Sequence, residues 1–391
     1  VKNSIYYYTL SDSSIEIGYT SDSPTIPTVE GVSVEKGKTL TYKIKINGSK
    51  GKAIKIGSSM GLNNSNLTLP NGTTAFSLLK DPTGAETLIA KANPETLDYN
   101  NATTDQKNQM WAFSHEATEQ LKATTDYRYI GANPNNYVKF NDELWRIIGV
   151  FDVDDGTGKI EKRMKIIRNE SIGNYSWDYT SSGSYTNEWK TAQLNTLLNS
   201  GAYYNRTTGS YYNGSTSASN VDFTSTGLTD KAKAMIGDAK WYLGGTSSYT
   251  SSSNGLASHW YKYERGTTVY SGRNTNWTGK VGLMYPSDYG YATSGGNSRN
   301  RASCMAKELY NWDDSSYSDC KNNDWLYKSS QYQWTMSPRA DISNIVFFVF
   351  NTGSVYSDIA YYGAACPVVH LKSTIKVISG SGTASSPFIL G

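Results

Sequence analysis

Short runs in which apolar and polar residues alternate, each closed by a turn-forming pair, set the tightest limit on what this chain can fold into. In Thr39-Leu40-Thr41-Tyr42-Lys43-Ile44-Lys45-Ile46 every second residue is apolar. A period of two puts those side chains on one face of a half-buried strand. Asn47-Gly48 follows, a pair suited to the backbone of a tight turn, and Lys52-Ala53-Ile54-Lys55-Ile56 then alternates again. Residues 1–85 are therefore expected to form a small immunoglobulin-like β-sandwich. Farther along, residues 136–140 and 144–150 flank Asn141-Asp142-Glu143 as the arms of a hairpin. Asp154-Asp155-Gly156-Thr157-Gly158 makes a second turn, and Arg163-Met164-Lys165-Ile166-Ile167 a third strand.

Helical signals are fewer. Thr104-Asp105-Gln106-Lys107 opens a helix-like stretch through Trp111, Phe113 and Leu121, with Thr104 and Asp105 suited to its N-cap. Residues 86–125 are accordingly expected to be a helical connector. A clearer helix is capped by Asn187, lined by Trp189, Leu194, Leu197 and Leu198, and stopped at Asn199-Ser200-Gly201. A shorter one spans residues 230–236, and the Ser, Tyr and Thr of residues 246–254 form a loop. The expected fold is α+β and β-rich, with the C-terminal domain covering residues 126–391.

Composition narrows the function. Charged residues are 18% of the chain, against about 25% in an ordinary globular domain. Ser, Thr, Asn and Gly supply the polarity instead, which suits a long-lived protein outside the cytoplasm. The net charge of +3 is spread over 37 basic and 34 acidic residues, so no basic patch forms to draw a nucleic acid. No segment reaches the 18 apolar residues of a membrane span. The abrupt start at Val1-Lys2-Asn3 is read as a mature or trimmed form, its export signal or anchor removed. Of the three cysteines, Cys304 and Cys320 would close a short loop. A bridge over about fifteen residues is worth ~3 kcal/mol. In an oxidising compartment that pair is expected, with Cys366 free. In a reducing one all three are thiols.

Residues 136–390 resemble bacterial surface domains with a C-type-lectin-like fold, distant relatives of the formylglycine-generating enzymes. The blocks that carry the resemblance stand in order. They include Leu144-Trp145-Arg146-Ile147-Ile148, Trp189-Lys190-Thr191-Ala192-Gln193-Leu194, Trp241-Tyr242-Leu243-Gly244-Gly245 and Gly282-Leu283-Met284-Tyr285-Pro286-Ser287-Asp288-Tyr289-Gly290. Asp324-Trp325-Leu326, Trp334-Thr335-Met336-Ser337-Pro338 and Pro367-Val368-Val369-His370-Leu371 follow. Some members of the wider fold are variable proteins of diversity-generating retroelements, which carry altered side chains on a fixed backbone just before the final Pro-Val strand. The matching stretch here is 339–362. Relatives usually have Arg before that Pro-Val. This chain has Cys366, so no Arg-dependent contact is carried over.

The resemblance implies a non-enzymatic ligand-binding protein or adhesin, extracellular or on the cell surface. Its ligand would be a protein or glycan on another cell, a phage or a host. The ligand-facing residues are then Arg339, Asp341, Ile342, Asn344, Phe348, Phe350, Asn351, Tyr356, Ser357, Asp358, Tyr361 and Tyr362. Tyr gives wide, stiff contact area at small entropic cost, and there are 31 of them against 9 Phe. Ser, Asp and Gly surround Tyr356, Tyr361 and Tyr362, which favours their exposure. Phe347 is read as core, whereas Phe348 and Phe350 fit either a buried strand or the binding face. The alternative function is a structural subunit of a surface filament, a pilin-like ectodomain able to self-assemble. No catalytic residue, metal ligand or cofactor is assigned. His115, His259 and His370 lie far apart, and the cysteines do not stand in the enzymatic relatives' motif. Asn311-Trp312-Asp313-Asp314 and Asn322-Asn323-Asp324-Trp325 contain calcium-type ligands, but their spacing fits turns better.

Overall fold

The computed structural model describes residues 82–179 and 182–391, together with the backbone of seven short strands before them. The chain divides into two compact units, Val1–Pro82 and Thr83–Gly391. Strand exceeds helix, 31% against 21%, so the fold is mixed and β-rich.

In the first unit, Tyr6–Thr9 lies between Ala53–Ile56 and Leu78–Leu79, antiparallel to both. Glu16–Tyr19 pairs with Tyr42–Lys45, and Leu67–Thr68 with Ala75–Phe76. The two strands on either side of Asn47-Gly48 thus belong to different sheets and do not form a hairpin with each other.

The second unit opens on a short helix, Gly84–Ile89. Thr83 and Glu86 cap it reciprocally, each side chain accepting the other's backbone N–H. The segment expected as a helical connector is largely something else. A single helical turn, Thr104–Lys107, is capped by Thr103 rather than by Thr104 or Asp105. Strands β1 (Trp111–His115) and β2 (Thr124–Arg128) follow as an antiparallel pair. Trp111 and Phe113 are buried, while Ala112 and Ser114 between and after them are more exposed. Their spacing of two is the period of a strand, not of a helix face.

Strands β3 (Tyr137–Phe140), β4 (Glu143–Asp154) and β5 (Ile160–Arg168) form an antiparallel meander. The β3–β4 turn sets Asn141 and Asp142 at φ of 55° and 61°, the left-handed backbone of a two-residue hairpin loop. The β4–β5 register slips between Ile147 and Gly149, where β2 comes alongside. A Cβ at Gly149 would sit 2.1 Å from the Tyr127 carbonyl oxygen, so only glycine admits β2 there.

After β6 (Asn174–Tyr175) the chain leaves for a long excursion of short helices and hairpins, and returns for β7 (Val281–Gly282). The remaining strands are β8 (Gln333–Pro338), β9 (Ile345–Val349), β10 (Val355–Ile359), β11 (Gly363–Ala364), β12 (Val368–His370), β13 (Val377–Ser379) and β14 (Phe388–Leu390). The large sheet runs β7-β12-β5-β4-β3-β14-β13, with β2 beside β4 and β1 outside β2. The last strand lies parallel to β3, tying the end of the unit to its first meander. The second sheet runs β6-β11-β8-β9-β10.

Tryptophan fills the interior. Trp111, Trp145, Trp177, Trp189, Trp241, Trp260, Trp312 and Trp334 are all less than 2% exposed. Many tyrosines join them, including Tyr129, Tyr203, Tyr285 and Tyr289. Most of the aromatic wealth therefore serves packing, which corrects the expectation that it marks a binding surface.

Candidate functional site

The outer face of β8-β9-β10 carries a ladder of aromatic residues. Trp334 on β8 stands opposite Phe348 on β9, and Phe348 stands opposite Tyr356 on β10. Side chains opposite one another across a sheet share a face. Exposure climbs along that row, from 1% at Trp334 to 5% at Phe348 and 42% at Tyr356. Toward β8 the face is closed by β6, whose Tyr175 carbonyl accepts from the Trp334 indole N–H. Toward β10 it opens.

Around Tyr356 the rings form a continuous row, exposed at Tyr332 and Tyr356 and half-buried at Phe350 and Tyr310. Tyr332 meets Phe350 at 4.6 Å between ring centroids, Phe350 meets Tyr356 at 6.2 Å, and Tyr356 lies nearly parallel to Tyr310 at 5.9 Å. Phe348 lies beneath this row and is buried, so its place in the predicted binding set is corrected to that of a floor. Phe350 is half-buried and forms part of the row. On the opposite face of β9, Phe347 is fully buried against Tyr249 and Trp260.

The other predicted residues sort by what they touch. Arg339 and Asp341 satisfy each other through two parallel hydrogen bonds of 2.8 and 2.6 Å. The neighbouring guanidinium holds the Asp341 carboxyl below its ordinary range. Ser357 bonds the Tyr249 hydroxyl at 3.0 Å, and Asp358 accepts the Ile359 amide. Asn344 offers its carbonyl to the Ala360 amide, and the Asn351 carbonyl accepts from the Tyr327 hydroxyl. Tyr361 packs into a cluster with Tyr179 and Tyr185, so it is a partly structural side chain rather than a free one. Tyr362 is exposed, its hydroxyl accepting from Asn174. Ile342 is exposed.

One residue that positions this site was assigned another role from sequence. Asn187 caps no helix. Its buried Nδ2 donates to the carbonyls of Arg339, Ile342 and Ile345 at 2.9 to 3.1 Å, and its backbone N–H to that of Ser343. Arg273 supports it, donating from Nε to Asn187 Oδ1 and from Nη2 to the Ser343 carbonyl. The loop between β8 and β9 is thus gripped through its main chain. Glu188 caps the following 3-10 turn, Trp189–Thr191. Tyr249, in the loop of residues 246–254, is buried.

Cys304 and Cys320 form a disulfide with Cα atoms 5.5 Å apart, and Cys366 is a buried free thiol. Burial pushes that thiol up to about 12, leaving it unreactive. Among the described residues no group of three or more His, Cys, Asp or Glu could hold a metal. Asp314 caps a 3-10 turn, and Asp324 accepts the Leu326 amide while burial raises its carboxyl well above the usual range.

The densest ionisable cluster lies elsewhere and is sealed. Arg128 bridges Asp126 and Asp288 at 2.9 and 3.0 Å, Lys165 contacts Asp288, and Arg265 pairs with Glu264 at 2.8 Å. Their side chains are 5% exposed or less. The cavity beside them holds about 20 Å³, space for roughly one water. Comparison with protein families, with curated proteins and with solved structures finds no match for this chain.

Proposed function

We propose that this protein is a non-enzymatic surface adhesin whose Thr83–Gly391 unit, C-type-lectin-like in architecture, binds its ligand on the open side of the β8-β9-β10 face. One observation carries the reading. Of the nine exposed large hydrophobic side chains among the described residues, two, Tyr332 and Tyr356, stand together in the aromatic row on this face, joined through Phe350. A cluster of exposed apolar side chains rimmed by polar groups marks an interaction surface. The blocks behind the lectin-like resemblance support it. They fall on the β3–β4 hairpin, the Gln193–Asn199 helix, the Pro286–Ala292 helix, β8 and β12.

The test uses fluorescently labelled chain on a panel of bacterial and animal cells. Wild type stains at least one cell type, and the double variant Tyr356→Ala/Tyr362→Ala stains none while melting at the same temperature. Equal staining by a folded double variant would put the binding surface elsewhere.

A second reading, a subunit of a surface filament, is favoured by the edge strand β13, whose Ile378 is 65% exposed. An open edge invites pairing with another chain. Under that reading wild type sediments as oligomers and Ile378→Lys as monomer.

A further inference from the structure

Beside the aromatic row lies a groove of about 310 Å³, near the lower end for small-ligand sites. Two separate pieces of chain wall it. One is the turn between β9 and β10, with Phe350, Thr352, Ser354 and Tyr356. The other is a loop closed by the Cys304–Cys320 disulfide, with Tyr310, Asn311 and Asp313. None of the three residues on that second wall belongs to the predicted 339–362 stretch.

We propose that this groove is a calcium-independent saccharide site, and that it supplies the ligand class of the adhesive face argued above, on which it rests. A sugar ring has an apolar C–H face and a rim of hydroxyls, and the groove offers a partner for each. Phe350 and Tyr356 meet at 65°, an aromatic corner against which a C–H face stacks. Tyr310 extends that surface, nearly parallel to Tyr356. Around the rings stand groups able to take hydroxyls. The Asp313 carboxylate is exposed and makes no hydrogen bond or ion pair with any described residue. Asn311 spends a side-chain N–H on Glu308, and its Oδ1 accepts from no described residue. The Thr352 and Ser354 hydroxyls lie 3.4 Å apart at the opposite wall.

The lining pairs aromatic rings with polar groups on both walls. A hot-spot pocket for a protein partner has a dry, fully desolvated centre. Here six of the seven lining residues, all but Phe350, carry a hydroxyl, amide or carboxylate group. Asp313 is the lone carboxylate of the groove, too few for the six to eight oxygens that calcium takes. The disulfide fixes the second wall before the ligand arrives, and a preorganised wall loses less freedom on binding.

The test prints neutral and acidic oligosaccharides on an array and probes it in EDTA with wild type, Asp313→Asn, Tyr310→Ala, Tyr356→Ala and Cys304→Ser/Cys320→Ser. Wild type should bind a defined subset. Asp313→Asn and Tyr310→Ala should each weaken that binding at least tenfold with unchanged melting, and the disulfide variant should weaken it too. A parallel arm stains cells before and after periodate, which cleaves vicinal diols of sugars. Staining that survives periodate, is lost after protease and is lost in Tyr356→Ala overturns the saccharide assignment and leaves the adhesive face standing. Sugar binding that both Asp313→Asn and Tyr356→Ala retain at full strength overturns this groove and the face together. A wild-type chain that binds no oligosaccharide and no cell does the same.

Discussion

Trp334, Phe348 and Tyr356 sit opposite one another on three neighbouring strands, yet they answer different demands. Trp334 has rings or backbone on every side, and its indole N–H reaches the Tyr175 carbonyl at 2.9 Å. Trp334→Ala should cost about 3–5 kcal/mol, read as a lower urea midpoint. Tyr356→Ala should leave that midpoint within error, because an exposed side chain adds little to folding. A Tyr356→Ala that unfolds would move this ring into the core and remove the binding face. Sequence showed part of this ladder. The Ser and Asp beside Tyr356 point it outward, and Tyr356 is exposed. Nothing in Val346-Phe347-Phe348-Val349-Phe350 tells the two faces apart, since both faces of β9 are covered through Val349 and a strand buried on both sides has no alternation to read.

At the scale of elements, the β8–β9 loop and the β1–β2 pair make the same point from opposite sides. Asn187→Ala removes the donor shared by three buried or half-buried carbonyls. We expect a loss of about 2 kcal/mol in stability and faster amide exchange at Arg339, with ligand binding reduced. Asn187→Asp keeps the shape but not the donor and should behave alike; full retention of stability by both would dismiss the grip. Local pattern could not have found this role, because Asn187 lies 152 residues from Arg339 in sequence and nearby helical residues invited a capping role instead. The β3–β4 hairpin was legible for the opposite reason, its turn and both arms being consecutive. Residues 111–115 failed because Trp111 and Phe113 were fitted to a distant Leu121 rather than to each other.

For the whole molecule, β1 and β2 complete the large sheet, so the foldable unit begins near Thr83. Residues 83–391 should melt cooperatively alone, whereas a fragment starting at Asp126 loses β1 and cuts β2, and should aggregate or melt without a transition. The sealed ionic cluster joins this sheet to the helices Ala257–Glu264 and Pro286–Ala292, and gives stability a pH profile. Burial raises the Glu264 carboxyl from 4.5 to about 7, with Arg265 pulling it back. The folded state then holds a proton that the unfolded chain releases, so stability falls as pH rises from about 4.5 to about 7. Asp126 and Asp288 run the other way. Burial opposes their charge, but Arg128 beside Asp126, and Lys165 and Arg128 beside Asp288, keep both carboxyls below 3.8. Their contribution is lost only as pH falls beneath that value. His115 and His370, which burial keeps neutral below 6.5, act in the same window with the opposite sign, so the Glu264 share is read by difference: Glu264→Gln should gain stability relative to wild type as pH rises from about 5 to about 7. A melting-temperature difference between Glu264→Gln and wild type that stays constant from pH 5 to pH 7 would contradict this assignment.

The grip of Asn187 on the β8–β9 loop also bears on what substitution can do there. It reads carbonyl oxygens, which every amino acid carries, and no side chain between Arg339 and Ile345 takes part in it. A saturation library at Ala340, Ile342 and Asn344 should accordingly yield mostly folded protein, while the same library at Asn187 should not. Selection can rewrite the chemistry of this rim without first repairing the scaffold beneath it.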